Sequence, residues 1–133
     1  MSVKHMIILS VIFIVAAVAA EAQISEREKE VQHPDGPVYL MISYDIVNLT
    51  EWQKYPPLVR PLLKKYGAEV LTMDTQAFAL EGAPHTMHAI IKFPSREAAI
   101  NCYNDPEYQP AKKIRISSTK NASLVLAKHL LTP

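Results

Sequence analysis

The sequence predicts an α+β domain with the element order β-α-β-β-α-β, the ferredoxin-like arrangement, in which both helices cover one face of an antiparallel sheet. Two observations predict this fold. Four segments have the composition of strands, and segments with helical spacing separate them in that order. In addition, residues 93–115 contain two helix starts in series. The length of 133 residues leaves room for one such domain.

The N-terminal segment, residues 1–22, is expected to be a secretory signal peptide. A short basic stretch precedes a mainly apolar run at residues 6–20, and residues 20–22 match a small-x-small cleavage signal. The run is shorter than the roughly 20 residues that span a bilayer as a helix. An uncleaved N-terminal anchor is the alternative. Residues 23–37 would then be a linker and residues 38–131 the domain, and the chain is predicted to be secreted, either to the extracellular space or to a periplasm.

The composition argues against some classes of function. A formal net charge of +1 with no basic cluster gives no electrostatic reason to expect nucleic-acid binding. Cys102 is the only cysteine, so no intrachain disulfide can form. Its position on an apolar stripe predicts a buried, inert thiol, with an intermolecular or reactive thiol as the alternative. Two sequons, at Asn48 and Asn121, would be glycosylation acceptors if the host has the machinery.

The first strand is predicted at Val38 to Ile46, which is mostly apolar on both faces, as is typical of a central strand. After it, Thr50 and Gln53 have the spacing of a capping box, which predicts a helix start at Thr50.

The helical segment that follows contains three prolines, Pro56, Pro57 and Pro61. Because each proline removes a backbone donor, we expect two helical pieces or one bent helix. Gly67 is predicted to end this segment.

Two strands are predicted next. The first covers Ala68 to Asp74, and residues 75–80 are expected to extend it as far as the turn at residues 81–84. The second covers Thr86 to Phe93, where apolar and polar side chains alternate well.

The second half of the domain begins with Pro94, which ends the strand, and Ser95, which is predicted to cap a helix. The expected buried stripe of this helix consists of Ala98, Ala99, Cys102 and Tyr103. Asp105 is predicted to cap the next helix, with Pro106 at its first position. A last strand is expected within Ala122 to Leu131.

An antiparallel sheet with both helices on one face leaves its other face bare, and the strand pattern places several large apolar side chains there. The apolar surface of such a face is larger than a soluble monomer of this size normally exposes to water. The sequence therefore predicts a homodimer that packs sheet to sheet.

Several short motifs of this sequence are similar to those of a known family. They are Phe93-Pro94-Ser95, Ala98-Ala99, Tyr103, Pro106-Glu107-Tyr108-Gln109 and Arg115, with Trp52, Tyr55, Tyr66-Gly67 and Glu81-Gly82 in the first half. With these motifs the sequence resembles the domain of unknown function 1330 family. The resemblance runs from about Val38 to Ala127 and implies a dimeric α/β barrel. That superfamily includes cofactor-free monooxygenases, muconolactone-type isomerases and haem-handling enzymes, so the fold alone does not identify a reaction.

The sequence contains no motif for a metal, a nucleotide or a nucleophilic triad, and no cofactor is predicted. Four residues are candidates for ligand binding: Tyr44, His88, Tyr108 and Arg115. The fork of Arg115 can bind a carboxylate in bidentate fashion. The alternative for Arg115 is a salt bridge to Glu81, Glu107 or Asp105.

The other candidates also have structural interpretations. Tyr44 and Tyr108 could offer hydroxyls to a pocket or serve as core aromatics. His88 differs in parity from its apolar neighbours and could lie on a pocket wall. Asp45 could act as a base if desolvated, or could cap the turn at Asn48.

The leading hypothesis is a secreted homodimer that binds a small, partly apolar molecule between its sheet and its helices. The first alternative is a cofactor-free monooxygenase-like or isomerase-like enzyme, which would need a base such as His88 or Asp45 beside a tyrosine. The second is a structural protein in which the dimer itself is the function.

Overall fold

The structure is a computed structural model that describes residues 36–130. The predicted signal peptide, residues 1–22, lies outside the described residues, as do most of the predicted linker and the last residue of the predicted domain, Leu131. Within residues 36–130, no helix is long and apolar enough to cross a membrane.

The element order is β-α-β-β-α-β, with each helical segment made of two pieces. The elements are β1 Val38–Ile46, α1 Leu49–Trp52, α2 Tyr55–Lys65, β2 Glu69–Asp74, β3 Met87–Phe93, α3 Arg96–Asn104, α4 Tyr108–Ser118 and β4 Thr119–Lys128. The sheet has the order β2-β3-β1-β4 and every neighbouring pair is antiparallel. This topology confirms the ferredoxin-like prediction.

Strand β1 lies in the middle of the sheet, between β3 and β4, and its bounds are those predicted. The apolar side chains on one face of β1 pack against the helices, and those on its other face lie on the side of the sheet that carries no helix among the described residues. Val38 and Tyr44 are buried on the face that the helices cover.

The helical segment after β1 is divided, as predicted, but its start differs from the prediction. Asn48 caps α1, because its side-chain oxygen accepts a hydrogen bond of 3.0 Å from the Glu51 backbone N–H. The prediction that Thr50 forms the cap was wrong. Pro56 and Pro57 lie in the first turn of α2, where a missing backbone N–H has no consequence, so the chain breaks before them rather than at them.

Strand β2 is an exposed edge strand that follows Gly67. The φ of +65° at Gly67 is in the left-handed region, as expected for the residue that ends a helix. The predicted extension of β2 through residues 75–80 was wrong. The carboxylate of Asp74 accepts a hydrogen bond of 2.7 Å from the Gln76 backbone N–H, and this local turn ends the strand.

Helix α3 begins as predicted, since the Ser95 hydroxyl accepts from the Ala98 backbone N–H at 3.1 Å. Ala99 and Cys102 are buried, but Tyr103 is 40% exposed, so its inclusion in the buried stripe was wrong. The predicted inert thiol agrees with the structure, because burial raises the pKa of Cys102 to about 11.

Helix α4 begins later than predicted, because Asp105 caps a turn instead of the helix itself. Its carboxylate accepts from the Glu107 backbone N–H at 2.8 Å, and the helix proper starts at Tyr108. Strand β4 follows α4 directly at Thr119, before the range Ala122 to Leu131 within which the last strand was predicted. The pairing of β4 with β1 shifts between Ser43 and Asp45, which marks an irregularity in the ladder.

The core lies between the sheet and the helices. A larger group of buried residues joins β1 and β3 to α2, α3 and α4, and a smaller group surrounds Tyr44, Trp52 and Met87. The opposite face of the sheet has no helix on it among the described residues. The strand register places Tyr39, Met41, Ile90 and Val125 there.

Candidate functional site

A cleft lies between the helix-facing side of the sheet and helices α1, α2 and α4. Its cavity has a volume of about 80 Å³ and opens to solvent. Apolar side chains from every layer form its walls, among them Ile42, Val59, Met87, Ala89 and Ile91.

Arg115 reaches this cleft from the last turn of α4 and is the most unusual residue of the site. It lies on the same face of the helix as Tyr108, Ala111 and Ser118, and that face is buried against the sheet. The residue is only 5% exposed, and its Nε atom is buried without a hydrogen-bond partner among residues 36–130. A guanidinium remains charged under all ordinary conditions, so the cleft contains a permanent cation.

Tyrosine hydroxyls supply most of the remaining polar atoms near Arg115. The Trp52 indole N–H donates to the Tyr44 hydroxyl at 2.9 Å, and both groups are buried. The hydroxyls of Tyr55 and Tyr108 lie 3.2 Å apart, and either can be the donor. Burial raises the pKa of Tyr44 and of Tyr55, while the positive charge of Arg115 opposes this rise at both residues. These tyrosines are therefore neutral donors in the ordinary pH range.

The structure brings three of the four predicted site residues together. Tyr44 and Arg115 line the cleft, and Tyr108 lines the adjoining pocket and contacts Tyr55. The expectation that His88 joins them was wrong. His88 directly follows Met87 in β3, so the two side chains point to opposite faces of the sheet. His88 therefore lies on the face away from the helices, in a groove with Ser43 and Thr72.

The alternative interpretation of Arg115, a salt bridge to an acidic neighbour, was also wrong. Asp105 and Glu107 both contact Lys65, at 2.8 Å and 3.3 Å. Among residues 36–130, no carboxylate lies within salt-bridge distance of the Arg115 guanidinium.

Asp45 lies outside the cleft, in a separate polar cluster at the end of β1. Its carboxylate accepts hydrogen bonds from Asn121 at 2.9 Å, from His85 at 3.1 Å and from the Thr86 backbone N–H at 3.3 Å. The expectation that it caps the turn at Asn48 was wrong. The hydrogen bond from Asn121, followed by that from His85, lowers the pKa of Asp45, which makes this carboxylate a weak base. In the part of the chain described, no three potential metal ligands form a group that could hold an ion.

Two features of the cleft were not predicted as functional from the sequence. Trp52 and Tyr55 have helical spacing in the sequence, which is typical of core positions and does not indicate their hydrogen bonds to Tyr44 and Tyr108. Arg60 lies at the mouth of the cleft, and its sequence context is that of an ordinary exposed helix residue.

Replacing Tyr44 with phenylalanine is expected to lower the free energy of unfolding by about 1–3 kcal/mol, because the buried Trp52 N–H would lose its acceptor. Urea denaturation of the purified protein measures this effect. Tyr39→Phe is the matched control, since the Tyr39 hydroxyl contacts His129 Nδ1 in an exposed position. We expect the control to change stability by less than about 0.5 kcal/mol. Equal losses in the two variants would contradict a structural role for the Trp52–Tyr44 bond.

Comparison with solved structures supports the observed fold. A protein of unknown function from Rhodopseudomonas palustris is 17% identical, with 81% of this chain and 93% of that chain covered and a TM-score of 0.65. The methylated form of the same protein gives 17% identity, coverage of 80% and 90%, and a TM-score of 0.64. At this level of identity the likeness indicates the fold alone.

A family match covers the whole described domain. No curated protein matches the chain. The family described as "Domain of unknown function (DUF1330)" matches residues 37–129, from just before β1 to just after β4. The chain belongs to the DUF1330 family.

Proposed function

We propose that this chain is a secreted homodimer of the dimeric α/β barrel type and that it binds a small, partly apolar molecule in the cleft between its sheet and its helices. The observation that carries the proposal is the cleft itself, which is open to solvent, mainly apolar, and furnished with a few convergent polar groups. Sites for small molecules typically combine these features.

The packing around the cleft also supports binding. A domain that needed only stability would fill this volume with side chains, because protein interiors pack closely. Instead, Leu63, Val70 and Met73 line a mouth at which the exposed edge strand β2 meets α2. A ligand with an apolar body would bury these side chains on binding.

The enzymatic alternative has less support. A cofactor-free monooxygenase or isomerase would need a base at the reacting atom. Neither Asp45 nor His88 lines the cleft, and the pKa of Asp45 is lowered by its three hydrogen bonds.

Native mass spectrometry of the chain purified from its own secretory route tests the proposal. The expected result is a dimer with a reproducible additional mass that is lost under denaturing conditions. A clean dimer without additional mass would favour the interpretation in which the dimer itself is the function.

A matched pair of substitutions locates the bound molecule. Ala89→Leu adds side-chain volume inside the cleft, where Ala89 is 5% exposed. Ala122→Leu makes the same change at an exposed position of β4. We expect the first variant to lose most of the additional mass and the second to keep it. Loss in both variants, or in neither, would place the ligand elsewhere.

The bare face of the sheet supports the proposed homodimer. Met41, Ile90 and Val125 are neighbours across three strands and are 45%, 36% and 49% exposed. A second copy of the same face would remove these side chains from water, and a two-fold dimer places each patch against itself.

Introducing lysines at this face, as Met41→Lys with Val125→Lys, is expected to convert the dimer to a monomer, because like charges would face each other across the two-fold axis. Analytical ultracentrifugation at micromolar concentration measures the change. Lysines at Leu58 and Ile116, which are exposed residues of α2 and α4, are the control and should leave the dimer intact. A wild-type chain that sediments as a monomer would disprove the dimer.

The proposed secretion rests on the N-terminal sequence alone. N-terminal sequencing of the exported protein should begin at Gln23, directly after the small-x-small signal. An exported chain that retains Met1 would support the membrane-anchored alternative.

A further inference from the structure

We propose that the ligand of the cleft is a monocarboxylate with an apolar body, and that Arg115 binds its carboxylate. This inference rests on the proposed function, because it assigns a chemical class to the molecule bound in the same cleft. It is carried by the state of Arg115 in the folded chain.

Arg115 is a buried cation without a counterion in the described protein. A buried ion that lacks a partner is costly, and proteins normally pair or neutralise such groups. Arginine cannot be neutralised by losing its proton. The two acidic residues that directly precede α4, Asp105 and Glu107, contact Lys65 instead. An anionic ligand would supply the missing charge.

The charges around the cleft agree with this assignment. Within the described part of the chain, the two charged residues that line the cleft are both arginines, Arg115 inside and Arg60 at the mouth. The positive charge of Arg60 would therefore attract an anion at the mouth, and the guanidinium of Arg115 would bind it inside the cleft. A cationic ligand would be repelled at both positions.

The number of buried cations indicates a single negative charge on the ligand. One guanidinium matches one carboxylate in the bidentate geometry, whereas a phosphate dianion would remain partly uncompensated. The Tyr44 hydroxyl already accepts from Trp52, so its own proton is free to be donated. In the Tyr55–Tyr108 pair, one hydroxyl donates its proton to the other. The second hydroxyl proton remains available for donation to a ligand.

The rest of the ligand must be apolar, because the cleft walls beyond Arg115 and the tyrosine hydroxyls consist of apolar side chains. Ile42, Val59 and Ile91 face the cleft, and Met73 and Met87 add side chains that adapt to different shapes. An aromatic acid and an aliphatic acid would both satisfy this surface, so the carboxylate is the shared feature.

Thermal unfolding in the presence of matched acids and amides tests the inference. The probes are sodium 3-phenylpropanoate and sodium hexanoate, their neutral amides, and sodium chloride at the same ionic strength. We expect both carboxylates to raise the Tm of the wild-type protein by several degrees, and the amides and chloride to leave it unchanged. A larger rise with one of the two acids would identify the aromatic or the aliphatic class.

Variants of Arg115 test whether the rise in Tm with carboxylates depends on the guanidinium. Arg115→Met should abolish the rise, and Arg115→Lys should reduce it, because lysine keeps the charge but lacks the fork. Circular dichroism of each variant establishes that it is folded. A Tm rise of equal size in Arg115→Met would overturn the inference.

Two further results separate this inference from the proposed function. Equal binding of acids and amides, lost in Ala89→Leu, would overturn the carboxylate assignment and leave binding in the cleft intact. No Tm rise with either acid would also overturn the assignment, while an additional mass in native mass spectrometry would still support a bound ligand of another class.

Discussion

Asp105→Asn is expected to lower the Tm by an amount on the order of 10 °C, the largest loss we expect from a single polar substitution. The Asp105 side chain is only 4% exposed and accepts from Lys65 at 2.8 Å and from Tyr66 at 2.7 Å. Its other oxygen accepts from the Glu107 backbone N–H. This one carboxylate therefore joins the end of α2 to the turn between α3 and α4. Differential scanning calorimetry measures the loss.

The same carboxylate determines how stability responds to acid. The hydrogen bond from Lys65, followed by those from Tyr66 and Glu107, lowers the pKa of Asp105 to about 2 from an ordinary value of 3.8. A group whose pKa is lower in the folded state stabilises the fold above its unfolded pKa and loses that contribution as the pH falls through its folded pKa. The Tm should therefore fall between about pH 4 and pH 2. The fall should be smaller in Asp105→Asn, with the remainder due in part to Asp45, whose pKa is also lowered.

Glu107→Gln is the control for this prediction. Glu107 contacts the same lysine at 3.3 Å, but its side chain is 69% exposed, and exposed ion pairs contribute little. We expect a change in Tm of no more than about 2 °C. An equal loss in the two variants would mean that the charge of Lys65, and not the buried junction at Asp105, stabilises this part of the fold.

The sequence predicted the elements of the fold well because their signals are local. The alternation in β3 and the cap at Ser95 depend on neighbouring residues, and both are confirmed. The errors occur where two local signals compete. Asn48 and Thr50 can both cap a helix, and the chain uses Asn48. The turn at Asp74 ends β2 before the apolar residues that follow could extend it.

The candidate site was only partly predictable, because it depends on contacts between distant segments. Tyr44, Tyr108 and Arg115 were selected for their chemistry, and the fold places them around one region. His88 was misplaced because parity alone does not say which face of a sheet the helices cover. Arg115 has no acidic partner among residues 36–130, and this could not be read from the sequence, because it depends on Lys65 contacting Asp105 and Glu107 across a separation of about 40 residues.

Arg115→Met is expected to raise the free energy of unfolding of the ligand-free protein by about 1–4 kcal/mol. Methionine retains much of the apolar stem of arginine and fits irregular apolar surroundings. It also removes a buried cation that has no partner in the described domain. Urea denaturation without added ligand measures the gain. Arg96→Met on the exposed surface of α3 is the control and should change stability by less than about 0.5 kcal/mol.

A gain in stability at Arg115 would have a functional meaning, because residues that destabilise a fold are retained where binding needs them. The same substitution is expected to remove the response to carboxylates, so the two measurements together separate a cost in stability from a role in binding. A large loss of stability in Arg115→Met would instead show that the guanidinium supports the packing of α4 against the sheet. In that case the carboxylate would have to be bound elsewhere, and Arg60 at the mouth of the cleft would be the next residue to substitute.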